Sequence, residues 1–430
     1  MTKITKARES AYKILFRVFS DNAFVNLSSK NEMEKLDKKE DRALCHEIVF
    51  GVLQNLYFID FVIKCFSKIR IKKISVNVLT ILRLSIYQMY FLDKIPNSAA
   101  VNEGVLLSKK YAYKSSGFIN AVLRAVDDKN KVFEKLNSLS EKEKLSIENS
   151  VPLWMIDIFY DSYGGEHAKK ICESFSIRKR NTIRINSLKK SDLELSKGIF
   201  ELPYSSFYDI SDDISEIISK GEFYVQGLSS QICVDVLSPS ENDKILDCCS
   251  APGGKSFTSA QYMNNCGEII SCDIYDHKIK LISEGAEKLG ISIINAEKRD
   301  MAVFQQDFVD KFDKVICDVP CSGFGIINKK PDIIFKNKQS VEEIQDLAEK
   351  ILDNCSGYVK NGGELVFSTC TLNKGENEMA VEKFLNAHKE FKIAEIKKYN
   401  YDNFLYNDFG LTILPDEIFD GFFISRMIKG

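Results

Sequence analysis

The sequence has no apolar run long enough to cross a membrane and no apolar leader at its amino end. Its most apolar stretch, residues 76–92, is interrupted by polar side chains that include Asn77, Thr80, Arg83 and Gln88, whereas a membrane-spanning helix needs about 20 residues that are nearly all apolar. The first ten residues, MTKITKARES, lack the apolar segment of a secretory signal. We therefore expect a cytoplasmic protein that has no membrane partner.

Cysteine and histidine are too sparse to suggest a disulfide framework or a metal site. Twelve cysteines are spread over 430 residues, and in a reducing cytoplasm they should mostly be free thiols. Cys248 and Cys249 are adjacent, Cys317 and Cys321 are four residues apart, and the four histidines form no pair at the spacing of zinc ligands. We expect no metal.

The chain has no excess of positive charge. It carries 59 Lys and Arg against 61 Asp and Glu, a net charge of −2, which excludes nucleic-acid binding through overall charge. Residues 169–190 are the exception, because they hold eight cations and one acid. This segment is predicted to contact a polyanion; the alternative is a solubilising surface. The residues expected to contact the polyanion are Lys169, Lys170, Arg178, Lys179, Arg180 and Arg184.

At 430 residues the chain exceeds one ordinary domain of roughly 100–200 residues. Residues 1–135 repeat apolar side chains at helical spacing and predict an all-α bundle. Residues 136–235 are predicted to form a linker and a small subdomain that contacts the polyanion. Residues 236–430 form the third predicted domain, and we expect the protein to be a monomer.

The third domain alternates short apolar runs with helical segments. The runs at 244–246, 268–272, 314–317 and 364–368 have the length of strands. This alternation predicts a Rossmann-like, doubly wound and mostly parallel sheet with ligands at the carboxyl ends of its strands. Two later apolar segments, 411–414 and 421–427, are predicted to form a closing antiparallel hairpin.

A glycine turn follows the first of these strands. Such a turn lets a ligand approach the backbone, and the next helix offers free N–H groups to a carboxylate. It matches neither G-x-G-x-x-G nor the P-loop. The next strand ends at Asp273, whose carboxylate could bind both hydroxyls of a ribose, although such an acid is often only a helix cap. Turn and acid together predict an adenosine-containing ligand. The residues of the turn are Cys249, Ser250, Ala251, Pro252, Gly253, Gly254 and Lys255.

Two cysteines lie at the ends of later strands. Cys321 belongs to D-V-P-C-S-G, which opens with Asp318, and Cys370 belongs to S-T-C-T. Asp300 follows another short predicted strand. An isolated cysteine is usually a small buried apolar residue, but these two are expected to open onto one crevice.

A carboxylate beside two thiols suits carbon methylation of a pyrimidine. Carbon 5 of cytosine is a poor nucleophile until a thiolate adds to carbon 6 and moves electron density to carbon 5. A thiol is suited to this attack because a few per cent of it is ionised at neutral pH. The residue pattern alone does not decide whether Cys321 or Cys370 attacks.

At these motifs the sequence resembles the Sun/RsmB branch of the NOL1/NOP2/Sun family of RNA cytosine-C5 methyltransferases. Five motifs occur in the family's order: C-S-A-P-G-G-K, D-V-P-C-S-G, K-P-D-I at 330–333, S-T-C-T with Glu376-Asn377-Glu378, and D-G-F-F at 420–423. The amino-terminal helices resemble NusB-type antitermination factors. This likeness is carried by G-F-I-N-A-V-L-R at 117–124 and A-A-V-N-E at 99–103. Gly227 and Arg299 depart from the usual family residues.

The resemblance implies S-adenosyl-L-methionine as cofactor and small-subunit (16S) ribosomal RNA as substrate, at cytosine 967. It implies that Cys370 attacks carbon 6, that Cys321 assists product release and that Asp318 contacts the target base near the cofactor. DNA cytosine methyltransferases use the Cys of a Pro-Cys motif, which would favour Cys321. By the same resemblance Asp273 holds the ribose, Asp300 the adenine end, and the turn at 249–255 the methionine part.

Two other functions fit less of the sequence. A methyltransferase acting on an amino nitrogen typically has a second proline after D/N-P, where this chain has Cys321. A non-catalytic RNA-binding or antitermination protein would account for the amino-terminal helices, but it leaves the two cysteines and the glycine turn without a role.

Overall fold

The computed structural model describes residues 4–21, 29, 31–177, 179–189, 202, 205–208 and 215–430. The chain divides into two compact units. The first comprises Met1–Ser176 and Asn328–Phe335, and the second comprises Ile177–Ile327 and Lys336–Gly430. The finer domain boundaries near residues 135 and 235 stay a prediction.

The first unit is helical, as the spacing of its apolar residues predicted. Short 3₁₀ helices at Ile71–Lys73, Tyr113–Ser115 and Pro331–Phe335 accompany the α-helices. The α-helices are α1 (Lys6–Asp21), α2 (Lys39–Gln54), α3 (Leu56–Phe66), α4 (Val76–Phe91), α5 (Asn97–Tyr111), α6 (Ser116–Ala125), α7 (Lys129–Asn137), α8 (Glu141–Glu148) and α9 (Leu153–Ser174), the last interrupted at Gly164.

Helix α4 is the centre of this bundle. It is buried on all sides and contacts α1, α2, α3, α5 and α6. Two of its polar side chains bond internally: Arg83 forms a bidentate pair with Asp60 at 2.8 Å, and the Gln88 side-chain amide donates to the Leu84 carbonyl. A buried charge is tolerated when it is paired in this way, which explains why the most apolar stretch of the sequence is a core helix.

Among the described helices, none is by itself long and apolar enough to cross a membrane. Helices α2 and α3 pass that test of length and composition only as a pair, and the chain bends by 75° between them.

The second unit contains two sheets. The smaller is antiparallel in the order β2-β1-β3. The larger has the order β10-β11-β12-β8-β7-β4-β5-β6, with β9 paired to β12. The strands are β1 (Asn181–Ile185), β2 (Ser205–Tyr208), β3 (Phe223–Val225), β4 (Lys244–Asp247), β5 (Glu268–Asp273), β6 (Ile294–Lys298), β7 (Phe312–Asp318), β8 (Val359–Thr369), β9 (Phe391–Ile393), β10 (Phe404–Asn407), β11 (Gly410–Ile413) and β12 (Phe422–Lys429).

Helices flank the larger sheet, and two apolar clusters cover its strands. Ile245 of β4 belongs to one cluster and its neighbour Leu246 to the other, because successive side chains of a strand point to opposite faces. The helices of this unit are α10 (Ser215–Lys220), α11 (Leu228–Leu237), α12 (Gly254–Tyr262), α13 (Asp276–Leu289), α14 (Lys338–Ser356) and α15 (Glu378–Ala387), with a 3₁₀ helix at Gln306–Phe308.

The order of the strands places the site. Strands β8, β7, β4, β5 and β6 are parallel, and β12 is antiparallel to β8 and β11. The chain runs outward from β4 through β5 to β6 and then returns to β7 on the other side of β4. The predicted doubly wound sheet and its closing hairpin are therefore confirmed, and ligands of such sheets bind where the direction reverses, outside the carboxyl ends of β4 and β7.

Candidate active site

The carboxyl ends of four parallel strands carry the predicted site residues. Strands β4, β5 and β7 end at Asp247, Asp273 and Asp318, and Cys370 directly follows β8. Asp318 lies opposite Ser368 in the register of β7 and β8. Residues from distant parts of the sequence therefore meet at one edge of the sheet.

The structure brings Cys321 and Cys370 together. Their Sγ atoms are 3.3 Å apart, and both residues are half-buried. The hydrogen bond with Cys370 and burial raise the pKa of the Cys321 thiol well above its usual value. The two thiols lie within hydrogen-bond distance, and either can donate to the other.

Asp318 is held in place by two partners. Its Oδ2 accepts from the Lys255 ammonium at 2.6 Å, and its Oδ1 accepts from the Ser368 hydroxyl at 2.7 Å. Burial alone would lower the pKa of Lys255, but the adjacent Asp318 carboxylate raises it on balance. The pair thus stays charged, and the Asp318 carboxylate cannot rotate freely.

The glycine turn is built around one left-handed residue. Gly253 has a φ of +105°, and a Cβ there would lie 2.4 Å from the Phe257 ring, so a side chain is excluded twice over. The Ser250 amide donates to the Cys272 carbonyl at 2.9 Å, and Gln226 donates to the Gly254 carbonyl at 3.0 Å. These bonds fix the turn beside the amino end of α12, where no side chain caps the helix.

Three carboxylates border this turn in different environments. Asp247 is fully buried, and burial raises its pKa to about 7; its Oδ1 has no hydrogen-bond partner among the residues that the structure describes. Asp273 is also buried and accepts from the Tyr275 amide at 3.2 Å. Asp300 is exposed at the end of β6 and accepts from the Ala302 amide at 3.0 Å.

These residues fit an adenosine-bearing cofactor with a carboxylate tail. Gly253 has no side chain to cover the backbone of the turn, and the uncapped helix end offers N–H groups to an anion. A carboxylate such as that of Asp273 is a group that can bind a diol, and Asp247 keeps an unsatisfied buried oxygen beside the turn. Arg299, a departure from the family pattern, pairs with Asp307.

The sequence patterns did not point to two further residues of the site. Ser368 anchors Asp318, and Lys336 donates to the carbonyls of Cys321 and Ser322 at 3.3 and 2.9 Å. Ser368 lay inside the quoted S-T-C-T motif, so its position beside a strand-end acid was a usable signal. Lys336 is separated from Cys321 by 15 residues, and no spacing rule predicts its bond.

The predicted basic segment is divided between the two units. Lys169 and Lys170 lie on α9 in the first unit, with side chains 60% and 62% exposed, and approach Glu173 and Glu166 at 3.9 and 2.8 Å. Arg178 lies outside the residues that the structure describes.

The remaining cations of the segment belong to the second unit. Arg180 is exposed, but Lys179 is largely buried, and its ammonium donates to the Phe419 carbonyl. Arg184 is 1% exposed, and its guanidinium donates to Gln261 at 2.7 Å. The expected phosphate contacts at Arg184 and Lys179 are corrected accordingly, because both cations bind internal acceptors.

Family models match two regions of the chain. Residues 234–428 match 16S rRNA methyltransferase RsmB/F, and residues 5–128 match the NusB family. Among curated proteins, a probable ribosomal RNA small subunit methyltransferase B of Bacillus subtilis (strain 168) is 33% identical, with 99% of each chain covered. The protein of that name in Synechocystis sp. (strain ATCC 27184 / PCC 6803 / Kazusa) is 28% identical over 98% of this chain and 99% of its own.

Solved structures share the fold. The crystal structure of PH0851 has a TM-score of 0.78 at 24% identity and covers all of both chains. That of NSun6 from Pyrococcus horikoshii with SFG has a TM-score of 0.55 at 21% identity and covers 65% of this chain and 98% of its own. Together with the match along the whole chain to the Bacillus protein, these findings show that the chain belongs to the RsmB/F family of 16S rRNA methyltransferases and carries a NusB-family region at its amino end.

Proposed function

We propose that this protein methylates carbon 5 of a cytosine in small-subunit (16S) ribosomal RNA, with S-adenosyl-L-methionine as the methyl donor. The observation that carries the proposal is the pair of thiols, Cys321 and Cys370, with Sγ atoms 3.3 Å apart at neighbouring strand ends. Asp318 ends the strand that precedes Cys321. The family supplies the class of RNA, and the sequence resemblance supplies cytosine 967 as the position.

Each thiol has a separate task in this reaction. The Cys370 thiolate adds to carbon 6 of the cytosine, which forms an S–C bond and moves the electron pair of the 5,6 double bond to carbon 5. S-adenosyl-L-methionine, when bound, supplies an electrophilic methyl group. Loss of the proton from carbon 5 then re-forms the double bond and expels Cys370 as a thiolate, a step that Cys321 assists.

The thiol environments support this division. A hydrogen bond from the protonated Cys321 thiol stabilises an adjacent thiolate, since bonding to a charged form favours that form. The Sγ atoms are 3.3 Å apart, so either thiol can donate to the other. The donating thiol stays protonated and is the weaker nucleophile, and the sequence resemblance gives the attack to Cys370 and the donor's part to Cys321.

Asp318 gives the site a means of choosing cytosine. Its carboxylate, fixed by Lys255 and Ser368, can accept a hydrogen bond from the exocyclic amine of cytosine. Uracil has an oxygen acceptor at that position, and two acceptors facing each other would leave both unpaired. The base must leave its stack to reach these groups, as in other enzymes that act on a base.

The cofactor contacts follow the strand ends. In the proposal Asp273 binds the ribose hydroxyls, Asp300 lies at the adenine end, and residues 249–255 surround the methionine part. Lys169, Lys170 and Arg180 are the exposed cations of the predicted basic segment that stay candidates for RNA phosphates.

Nucleotide mapping tests the reaction directly. Purified protein incubated with unmodified 16S ribosomal RNA and S-adenosyl-L-methionine should leave one cytosine resistant to bisulfite conversion, at or near position 967. RNA incubated without the methyl donor is the control. Methyl transfer to RNA that leaves every cytosine convertible would place the methyl group on another atom and contradict the proposal.

Two variants should separate cofactor binding from RNA binding. Asp273→Asn should weaken S-adenosyl-L-methionine binding by roughly tenfold or more, because a hydrogen bond to a charged group is lost, while RNA affinity stays within twofold. Calorimetry on the full-length protein measures both. Asn can still accept from the Tyr275 amide, so the fold should be retained.

The double variant Lys169→Ala with Lys170→Ala should weaken RNA binding and leave cofactor binding unchanged. Each phosphate contact to single-stranded RNA contributes about 0.7 to the slope of log affinity against log salt, so the slope should fall by about 1.4. Cofactor affinity should not change. An unaltered slope would remove these two lysines from the proposed RNA surface, and loss of RNA binding in the Asp273 variant would remove its assignment to the cofactor.

A further inference from the structure

Glu376 is a buried carboxylate in the loop that carries Cys370. It is 1% exposed, and each of its oxygens accepts a hydrogen bond from Ser322. Oε1 accepts from the Ser322 amide at 2.7 Å, and Oε2 from the Ser322 hydroxyl at 2.5 Å. Asn373 also donates to Oε2, at 3.0 Å. Glu376 therefore joins two loops that are far apart in sequence.

The joined loops are those of the two thiols. Ser322 directly follows Cys321, and Thr371 directly follows Cys370. The hydroxyls of Ser322 and Thr371 are 2.5 Å apart. The carboxylate thus fixes the residue next to each thiol through a continuous set of hydrogen bonds.

Lys336 also forms hydrogen bonds with the loop that contains Ser322. Its ammonium donates to the carbonyls of Cys321 and Ser322. Burial raises the pKa of Glu376, while the Ser322 bonds and the charge of Lys336 act against that rise. The Thr371 hydroxyl is a fourth donor to Glu376, at 3.4 Å. A buried carboxylate with four donors and a nearby cation is an arrangement in which removal of the anion leaves several groups unpaired.

We propose that Glu376 is a positioning residue that sets the separation of the Cys321 and Cys370 thiols and thereby controls release of the methylated base. Its consequence for release rests on the proposed function, whereas its effect on the thiol separation does not. The matching amide cannot replace it. Whichever way a glutamine is turned, its NH₂ group faces either the Ser322 amide or the Asn373 amide, and two donors then oppose each other.

Phenylarsine oxide measures the thiol separation without RNA. One arsenic condenses with two neighbouring thiols, forming two As–S bonds and releasing one water, with no change in oxidation state. The full-length protein should bind the reagent through Cys321 and Cys370, and Cys321→Ala should lose that site. Glu376→Gln should weaken this binding by about tenfold, because the second thiol is less often within reach of the first As–S bond.

Glu378→Gln is the matched control. Glu378 lies two residues further on and is also buried, but its Oε1 accepts from Asn407 at 3.1 Å and Thr412 at 3.4 Å rather than from the thiol loops. This variant should bind phenylarsine oxide as the parent protein does. If the Glu376 variant does not fold, Ser322→Ala takes its place, since it removes the hydroxyl bridge and keeps the backbone bond to Glu376; it should lose threefold or more in affinity.

Turnover then tests the catalytic consequence. In Glu376→Gln, kcat should fall by roughly a hundredfold, the effect of a displacement of about 1 Å, with KM for RNA within twofold. The fraction of protein held covalently on RNA should rise, because release is the impaired step. Unchanged arsenical affinity in a folded Glu376 or Ser322 variant overturns the positioning role. A parent protein that binds the arsenical but does not methylate cytosine overturns the proposed function alone.

Discussion

Replacing Cys370 with alanine should lower methyl transfer to RNA by about three orders of magnitude or more, because removing a nucleophile removes the covalent route. The loss should be in kcat. Cys370 is half-buried beside Cys321 and does not belong to the glycine turn, so affinity for S-adenosyl-L-methionine should change by less than twofold. Transfer of a labelled methyl group to 16S ribosomal RNA, together with calorimetry of cofactor binding, measures both quantities.

A second thiol in the same unit provides the control. Cys266 is exposed, and its Sγ contacts Asn242 at 3.3 Å, so Cys266→Ala should keep parental turnover within twofold. Substantial turnover in the Cys370 variant would assign the attack to Cys321 instead, as in a Pro-Cys motif. Equal loss in the Cys266 variant would show that the assay responds to general thiol damage.

Local patterns were sufficient to predict the elements around the site. Strands β4, β5, β7 and β8 lie where the short apolar runs placed them, because a strand buried on both faces needs apolar residues at every position. The chain returns from β6 to β7 on the other side of β4, which is the strand order expected of a doubly wound sheet. The convergence of the strand-end residues was therefore inferable from sequence.

The burial of cations in the basic segment could not be inferred from the sequence in the same way. Arg184 occupies the middle of β1, and its acceptors Gln261 and Gln231 lie 77 and 47 residues away. A charged side chain is buried only when the fold brings such partners to it. Its local sequence resembles that of an exposed cation, so the distinction depends on tertiary contacts that charge counting does not contain.

The hydrogen bonds between residues of the site also depend on tertiary contacts. Lys255 reaches Asp318 across 63 residues, and Ser322 reaches Glu376 across 54. Motifs identified these residues as members of the site, but the patterns gave no pairing among them. Pairing depends on which loops pack at the end of the sheet, and that is set by strand order rather than by local spacing.

Replacing Cys321 with alanine should trap the protein on its RNA. In the proposed reaction Cys370 still attacks carbon 6, but release loses the neighbouring thiol, so the covalent complex should accumulate during turnover. A complex that survives denaturant should appear on a gel as a slowly migrating band in the presence of 16S ribosomal RNA and S-adenosyl-L-methionine. The band should contain a stoichiometric fraction of the protein, and net turnover should fall by about a hundredfold or more.

The double variant identifies the atom that holds the RNA. Cys321→Ala combined with Cys370→Ala should give no band, because the only proposed S–C bond involves Cys370. The two thiols, whose Sγ atoms are 3.3 Å apart, have different tasks in the proposed reaction. The Cys370 variant should therefore lack attack, and the Cys321 variant should lack release. A Cys321 variant that turns over normally without a band would leave Cys321 no role in release, and a band that persists in the double variant would place the covalent bond on another residue.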